Sequence, residues 1–150
     1  MKWKKIFRYV VLPLLLILCA AAIYIYKEYH RTHKDTARLK PDYTVSAGDL
    51  LKEFAGNEQG SNKKYWDKVI VVNGILKELG KDDRGLYTVA LGDTASMSSV
   101  RCNIDSLHSA EAALLQEGTQ VSVKGICSGY NSDELLGSDV ILVRSVVNKN

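Results

Sequence analysis

"KYWDKVIVVNGILKEL", residues 64–79, carries an apolar run from Val69 to Leu79 with Gly74 set inside it. From Val69 onward the residues alternate with a period of two: Val69, Val71, Asn73 and Ile75 on one parity, Ile70, Val72, Gly74 and Leu76 on the other. Both parities are mostly apolar, which predicts a strand buried on much of both faces. A glycine inside such a strand weakens it and is tolerated where the strand bulges or bends. Gly74 therefore predicts a tightly coiled sheet in which one strand serves two halves of a closed structure.

Downstream, further strands are expected at 85–92, 99–105, 119–127 and 139–147, with Gly125 marking a second bend. "DDRG", residues 82–85, suits a hairpin turn. Between the third and fourth strands lies "SLHSAEAALLQEG", where alanine and leucine favour helix and Gly118 offers the stop. The order β-β-β-α-β-β is that of a five-stranded OB-type Greek-key barrel, so the fold class is mainly β. Upstream, Ser46 and Asp49 form a variant capping box, and Leu50, Leu51, Phe54, Ser61 and Tyr65 recur near helical spacing. A leading helix over 46–65 follows, with Gly56 and Gly60 each costing about 1 kcal/mol against alanine and inviting a bend in its second half.

A chain of 150 residues suits one domain behind its N-terminal segment. Residues 9–26, "YVVLPLLLILCAAAIYIY", hold no charge and nearly match the thickness of a bilayer's hydrocarbon core. Lys2, Lys4, Lys5 and Arg8 precede them without an acid, and Trp3 with tyrosines at both ends supplies an aromatic belt. The expected organisation is a cytoplasmic tail (1–8), a signal anchor (9–27) contacting the lipid bilayer, a polar spacer (28–43) and an OB domain outside the cytoplasm (44–150). A cleavable signal peptide ending near Ala20–Ala22 is the rival, opposed by the apolar run continuing through Tyr26. Leu18 ahead of Cys19 argues against lipidation.

Charge separates along the chain. Residues 1–41 carry nine Lys or Arg against two Asp or Glu, a net of +7, whereas residues 42–150 carry eleven against fifteen, a net of −4. The whole-chain excess of +3 thus sits beside the bilayer, where it can pair with anionic headgroups. It does not mark a nucleic-acid track.

Several stretches then resemble a known family. "THKDTARLKPDYTVSAGDLLKEFAGNEQGSNKKYWDKVIVVNGIL", "YTVALGD", "VRCNID", "GTQVSVKGICSGY" and "DVILVRSVV" are similar to the spacer, leading helix and strands of the tRNA_anti-like OB-fold proteins of bacterial envelopes. The resemblance implies an OB barrel behind a single anchor in the bacterial inner membrane, with the domain in the periplasm and no assigned activity. It does not carry a function, which must be read from residues.

No catalytic residue, metal site or cofactor is proposed. His30, His33 and His108 are the three histidines, and none stands in metal-ligand spacing with Cys, Asp or Glu. A haem chaperone would need a histidine in the C-terminal segment, which here is "NKN". Thr88, Arg101, Asn103 and Lys124 fall on the outward parity and, with Tyr130 in the loop after the fourth strand, form a candidate binding face. Tyr87 shares a face with Val89 and Leu91 and reads as core. The expected role is an envelope binding module for a protein, peptide or glycan partner. The alternative is a single-stranded nucleic-acid binder, which the acidic domain disfavours. Cys102 and Cys127 share the inward parity and are a disulfide candidate, limited by the Cα separation of about 7 Å or less that a bridge needs.

Overall fold

The computed structural model describes residues 12–29, 35–133 and 135–148, and divides the chain into two units, residues 1–34 and 35–150. The first unit holds helix α1 (Leu12–Tyr29), whose described side chains from Leu14 to Tyr26 are exposed and uncharged. Among the described residues no helix is long and apolar enough to cross a membrane. The expected span opens at Tyr9, and its start, its basic flank, His30 and His33 lie outside the described residues.

In the second unit a 3₁₀ turn (Thr36–Arg38) leads to strand β1 (Tyr43–Ser46), helix α2 (Ala47–Gly56) and helix α3 (Glu58–Tyr65). Strands β2 (Val69–Lys81), β3 (Tyr87–Leu91) and β4 (Ser99–Ile104) follow, then a second 3₁₀ turn (Ser106–His108), helix α4 (Ser109–Ala112), β5 (Gln120–Asp133) and β6 (Gly137–Val147). The sheet order is β1-β2-β3-β4-β6-β5, and β5 pairs back onto β2, so five strands close in a ring. This is the OB connectivity. The parallel strand β1 is an addition to the five that the sequence predicts. It lies beside Ile70–Asn73 and is too short, at four residues, to show a period.

Gly74 sits where β2 changes partner. Residues 69–75 pair with β5, and from Leu76 the strand pairs with β3, with a register shift between Leu76 and Glu78. Its parity faces the interior with Ile70, Val72 and Leu76, all fully buried. A Cβ built on Gly74 would lie 2.9 Å from the Cβ of Ala47 and 3.3 Å from that of Leu91. The glycine therefore also makes room for the first residue of α2 to enter the core. Gly125 plays a similar part in β5, where the register shifts between Lys124 and Ile126 and a Cβ would press on Ser145 Oγ and Leu142. Opposite it, β6 accommodates an extra residue, and Arg144 takes a left-handed conformation at φ 49°.

The single helix expected over 46–65 is two helices. Ser46 caps α2 through Asp49 N at 3.1 Å, but Asn57 breaks the run at φ −156° and its side chain accepts from Gly60 N at 2.9 Å, starting α3. Both helices turn apolar residues inward: Ala47, Leu50 and Phe54 from α2, and Tyr65 from α3. They join Val89, Leu91, Val100, Val123, Val140 and Leu142 in one core.

Candidate functional site

Thr88 and Asn103 are register partners on β3 and β4, joined through Oγ1 and Oδ1 at 3.3 Å. Arg101, also on β4, reaches Asp139 of β6 with Nε 2.6 Å from Oδ2. Asp139 is held in turn by the backbone N and hydroxyl of Ser99, at 3.2 and 2.7 Å. The fold thus brings Thr88, Arg101 and Asn103 onto one polar face, and it pairs the cation of Arg101 with a fixed carboxylate.

Lys124 and Tyr130 lie elsewhere, contrary to the expected face. Lys124 is 8% exposed, because the segment after Asp35 crosses over it and takes its ammonium: Nζ donates to the carbonyls of Ala37 at 2.7 Å and Leu39 at 3.1 Å. Asp35 pins the same strap by accepting from Ala37 N at 3.0 Å and meeting His108 Nε2 at 3.0 Å. Tyr130 is within β5 rather than in a loop, and stacks on Phe54 with centroids 5.2 Å apart. Two further rings also turn inward. Tyr65 stacks with Phe54, and Tyr87 packs against the core beneath the ammonium of Lys81.

Cys102 and Cys127 are both buried free thiols, so the bridge considered from the sequence is absent. The register gives the reason. Each pairs with Leu142, one from β4 and one from β5, so β6 runs between them. Two inter-strand spacings amount to roughly 10 Å, beyond disulfide reach. Burial pushes both thiols above their ordinary range.

At one end of the ring, two loops meet in a feature that reading the sequence missed. Met97, in the β3–β4 loop, is 64% exposed, and Leu135 and Leu136, in the β5–β6 loop, are 83% and 72% exposed. Gly137, at φ 86°, lies so close to Met97 that a Cβ would come 2.6 Å from its carbonyl carbon. Ser138 N donates to Ser98 Oγ at 3.0 Å, tying the loops together. Asp133 Oδ1 fixes the tip by accepting from the backbone N of Leu135 and Leu136 at 2.8 and 2.9 Å, which holds its carboxyl below the usual range. Lys77 secures the other loop through the carbonyls of Ser96 and Ser98. The available signal was "DELLG", an apolar pair in a turn whose neighbours are turn formers.

Among the described residues there is no group of three or more His, Cys, Asp or Glu able to hold a metal ion. A closed ring with this strand order, with α2 and α3 packed on its core, defines an OB-like domain. The chain belongs to the tRNA_anti-like family, which it matches over residues 1–146. No curated protein matches it. Among solved structures it is similar to a protein of Klebsiella pneumoniae subsp. pneumoniae MGH 78578, provisionally named a nucleic acid-binding lipoprotein. Identity there is 20%, over 70% of this chain and 91% of that one, with a TM-score of 0.54. It is also similar to the OBody AM3L09 bound to hen egg-white lysozyme, at 19% identity over 58% of this chain and 88% of that one, with a TM-score of 0.43. A third similarity is to an asparaginyl-tRNA synthetase of Entamoeba histolytica, at 18% identity over 54% of this chain and 20% of that one, with a TM-score of 0.39.

Proposed function

We propose that this protein is a non-catalytic binding module of the bacterial envelope, tethered to the inner membrane by residues 9–27, which captures a protein partner at the apolar end of the ring. The observation that carries this reading is the convergence of Met97, Leu135 and Leu136 on two loops fixed to each other. Exposed apolar side chains on loops braced against each other are a usual mark of an interaction surface. Arg101 and its partner Asp139, nearer that end, would give part of a polar rim, while Thr88 and Asn103 lie toward the opposite end of the β3–β4 hairpin.

The name of the Klebsiella structure favours a second reading, single-stranded nucleic acid. That chemistry calls for free cations along a groove and aromatic rings exposed for stacking. Here Arg101 is paired, Lys77 and Lys124 donate to backbone carbonyls, and Phe54, Tyr65 and Tyr130 lie in or against the core; Trp66 and Lys68 are exceptions, exposed at the corner after α3. Titrating the full-length chain with an oligothymidylate across salt concentrations separates the two. The proposal expects no saturable binding, and an affinity that falls steeply with salt would favour the second reading.

The tether is supported by the uncharged run at 9–26 and its basic N-terminal flank. A reporter fused after Asn150 should be active outside the cytoplasm, with activity inside reversing the proposed topology.

A further inference from the structure

We propose that Trp66 is the stacking platform of a saccharide subsite, with Asp67 and Lys68 supplying the polar contacts beside it. The site is separate from the loop end and does not depend on that reading. Trp66 follows α3 and is 59% exposed, yet no ring partner or hydrogen bond engages its indole among the described residues. It is nevertheless held in place. Its Cζ3 would be 3.3 Å from a Cβ at Gly129, a position at φ 147° that favours glycine, so the ring rests on bare β5 backbone. The next residue, Asp67, takes a left-handed conformation at φ 58°, which is uncommon for a residue with a side chain. Two hydrogen bonds clamp this corner to β5, from Asp67 N to Cys127 O at 2.9 Å and from Cys127 N to Lys68 O at 3.0 Å. An exposed indole on a rigid, locally strained corner is a costly feature that core formation does not require.

The surrounding groups select the ligand class. Asp67 and Lys68, the two residues that follow Trp66, are exposed, and neither side chain has a hydrogen bond or ion pair among the described residues, so an acceptor and a donor of opposite charge stay free at this corner. A hydroxyl-rich, uncharged ligand can use both, while its C–H face meets the negative face of the indole. A polyanion suits the site poorly. The carboxylate of Asp67 repels phosphate, Lys64 is already paired with Glu53 at 2.9 Å, and the nearby partly exposed ring, Tyr43, is engaged edge-on with Tyr65. The site therefore fits a pyranose ring of a neutral glycan.

The chain has two tryptophans, so a Trp3→Phe variant of the full-length protein leaves Trp66 as its single indole reporter. Titration with the β-1,4-linked tetramer of N-acetylglucosamine should change its emission saturably. Calorimetry should show affinity kept in Trp66→Tyr and weakened roughly tenfold or more in Trp66→Ala, with circular dichroism unchanged in both. Asp67→Ala should also weaken binding. The proposal is overturned if the saccharide produces neither signal, if Trp66→Ala binds as the parent does, or if a decathymidylate and not the saccharide saturates the emission.

Discussion

Gly74 shows how much one residue can decide. The alternating pattern around it is legible as a strand, and its place in that pattern announces a change of partner. What the sequence could not show is that Ala47, 27 positions earlier, comes within van der Waals contact of the space its side chain would fill. Gly74→Ala should therefore destabilise the domain by about 1–3 kcal/mol through overpacking, read as a lower urea midpoint with an unchanged slope. Lys124 and Tyr130 were misplaced for reasons of the same kind. Lys124 does share the outward parity of its β2 register partner Val71, but residues 37–39, which look like polar spacer, cover it. Tyr130 lies past two register shifts in a strand that runs on to Asp133, so counting from the strand's start cannot place it. Cys102 and Cys127 lend themselves to a second test. In a Cys19→Ser variant, which removes the exposed third thiol, maleimide should leave both unmodified in the native protein near neutral pH and label both after denaturation, whereas rapid native labelling would contradict their burial.

Among the elements, the strap from Asp35 to Leu39 is the one whose role was least visible in the sequence. It has no apolar period, and its attachment depends on backbone carbonyls that any sequence would offer. Lys124→Met removes the ammonium and leaves the carbonyls of Ala37 and Leu39 without that donor. The expected loss is about 1–3 kcal/mol, with faster amide exchange confined to the strap as the sign that the right contact was cut. Asp35 adds a dependence on acidity. The backbone N–H of Ala37, and after it His108, hold its carboxyl below the ordinary 3.8. A carboxylate lowered in the folded state stabilises above its unfolded value and loses that contribution as the pH falls through the folded one. Wild type should thus be more stable than Asp35→Ala above about pH 4, and the gap should close on further acidification. A gap that widened in acid would show the opposite linkage. The break at Asn57 is an easier lesson. A residue that caps the following turn through its own side chain ends the preceding helix, and the flanking glycines hinted at a bend.

At the scale of the whole molecule, strand order was readable because each of the five ring strands is long enough to show its period, and the connecting helix falls where the OB arrangement needs it. The apolar loop end was not readable, since it arises from two loops, 97–98 and 135–138, that meet only after the ring closes. The charge pattern belongs to this scale as well. A mildly acidic domain in which Arg101, Lys77 and Lys124 are occupied within the fold is suited to a partner bound by apolar contact. The most direct test is a photo-crosslinking residue placed at Leu136 in the full-length protein in cells, with the somewhat more exposed Leu107 of the second 3₁₀ turn as the control position. The account predicts a discrete protein adduct from position 136 that disappears when Met97→Asp is added, and none from position 107. No adduct from 136, or the same adduct from both positions, would contradict it.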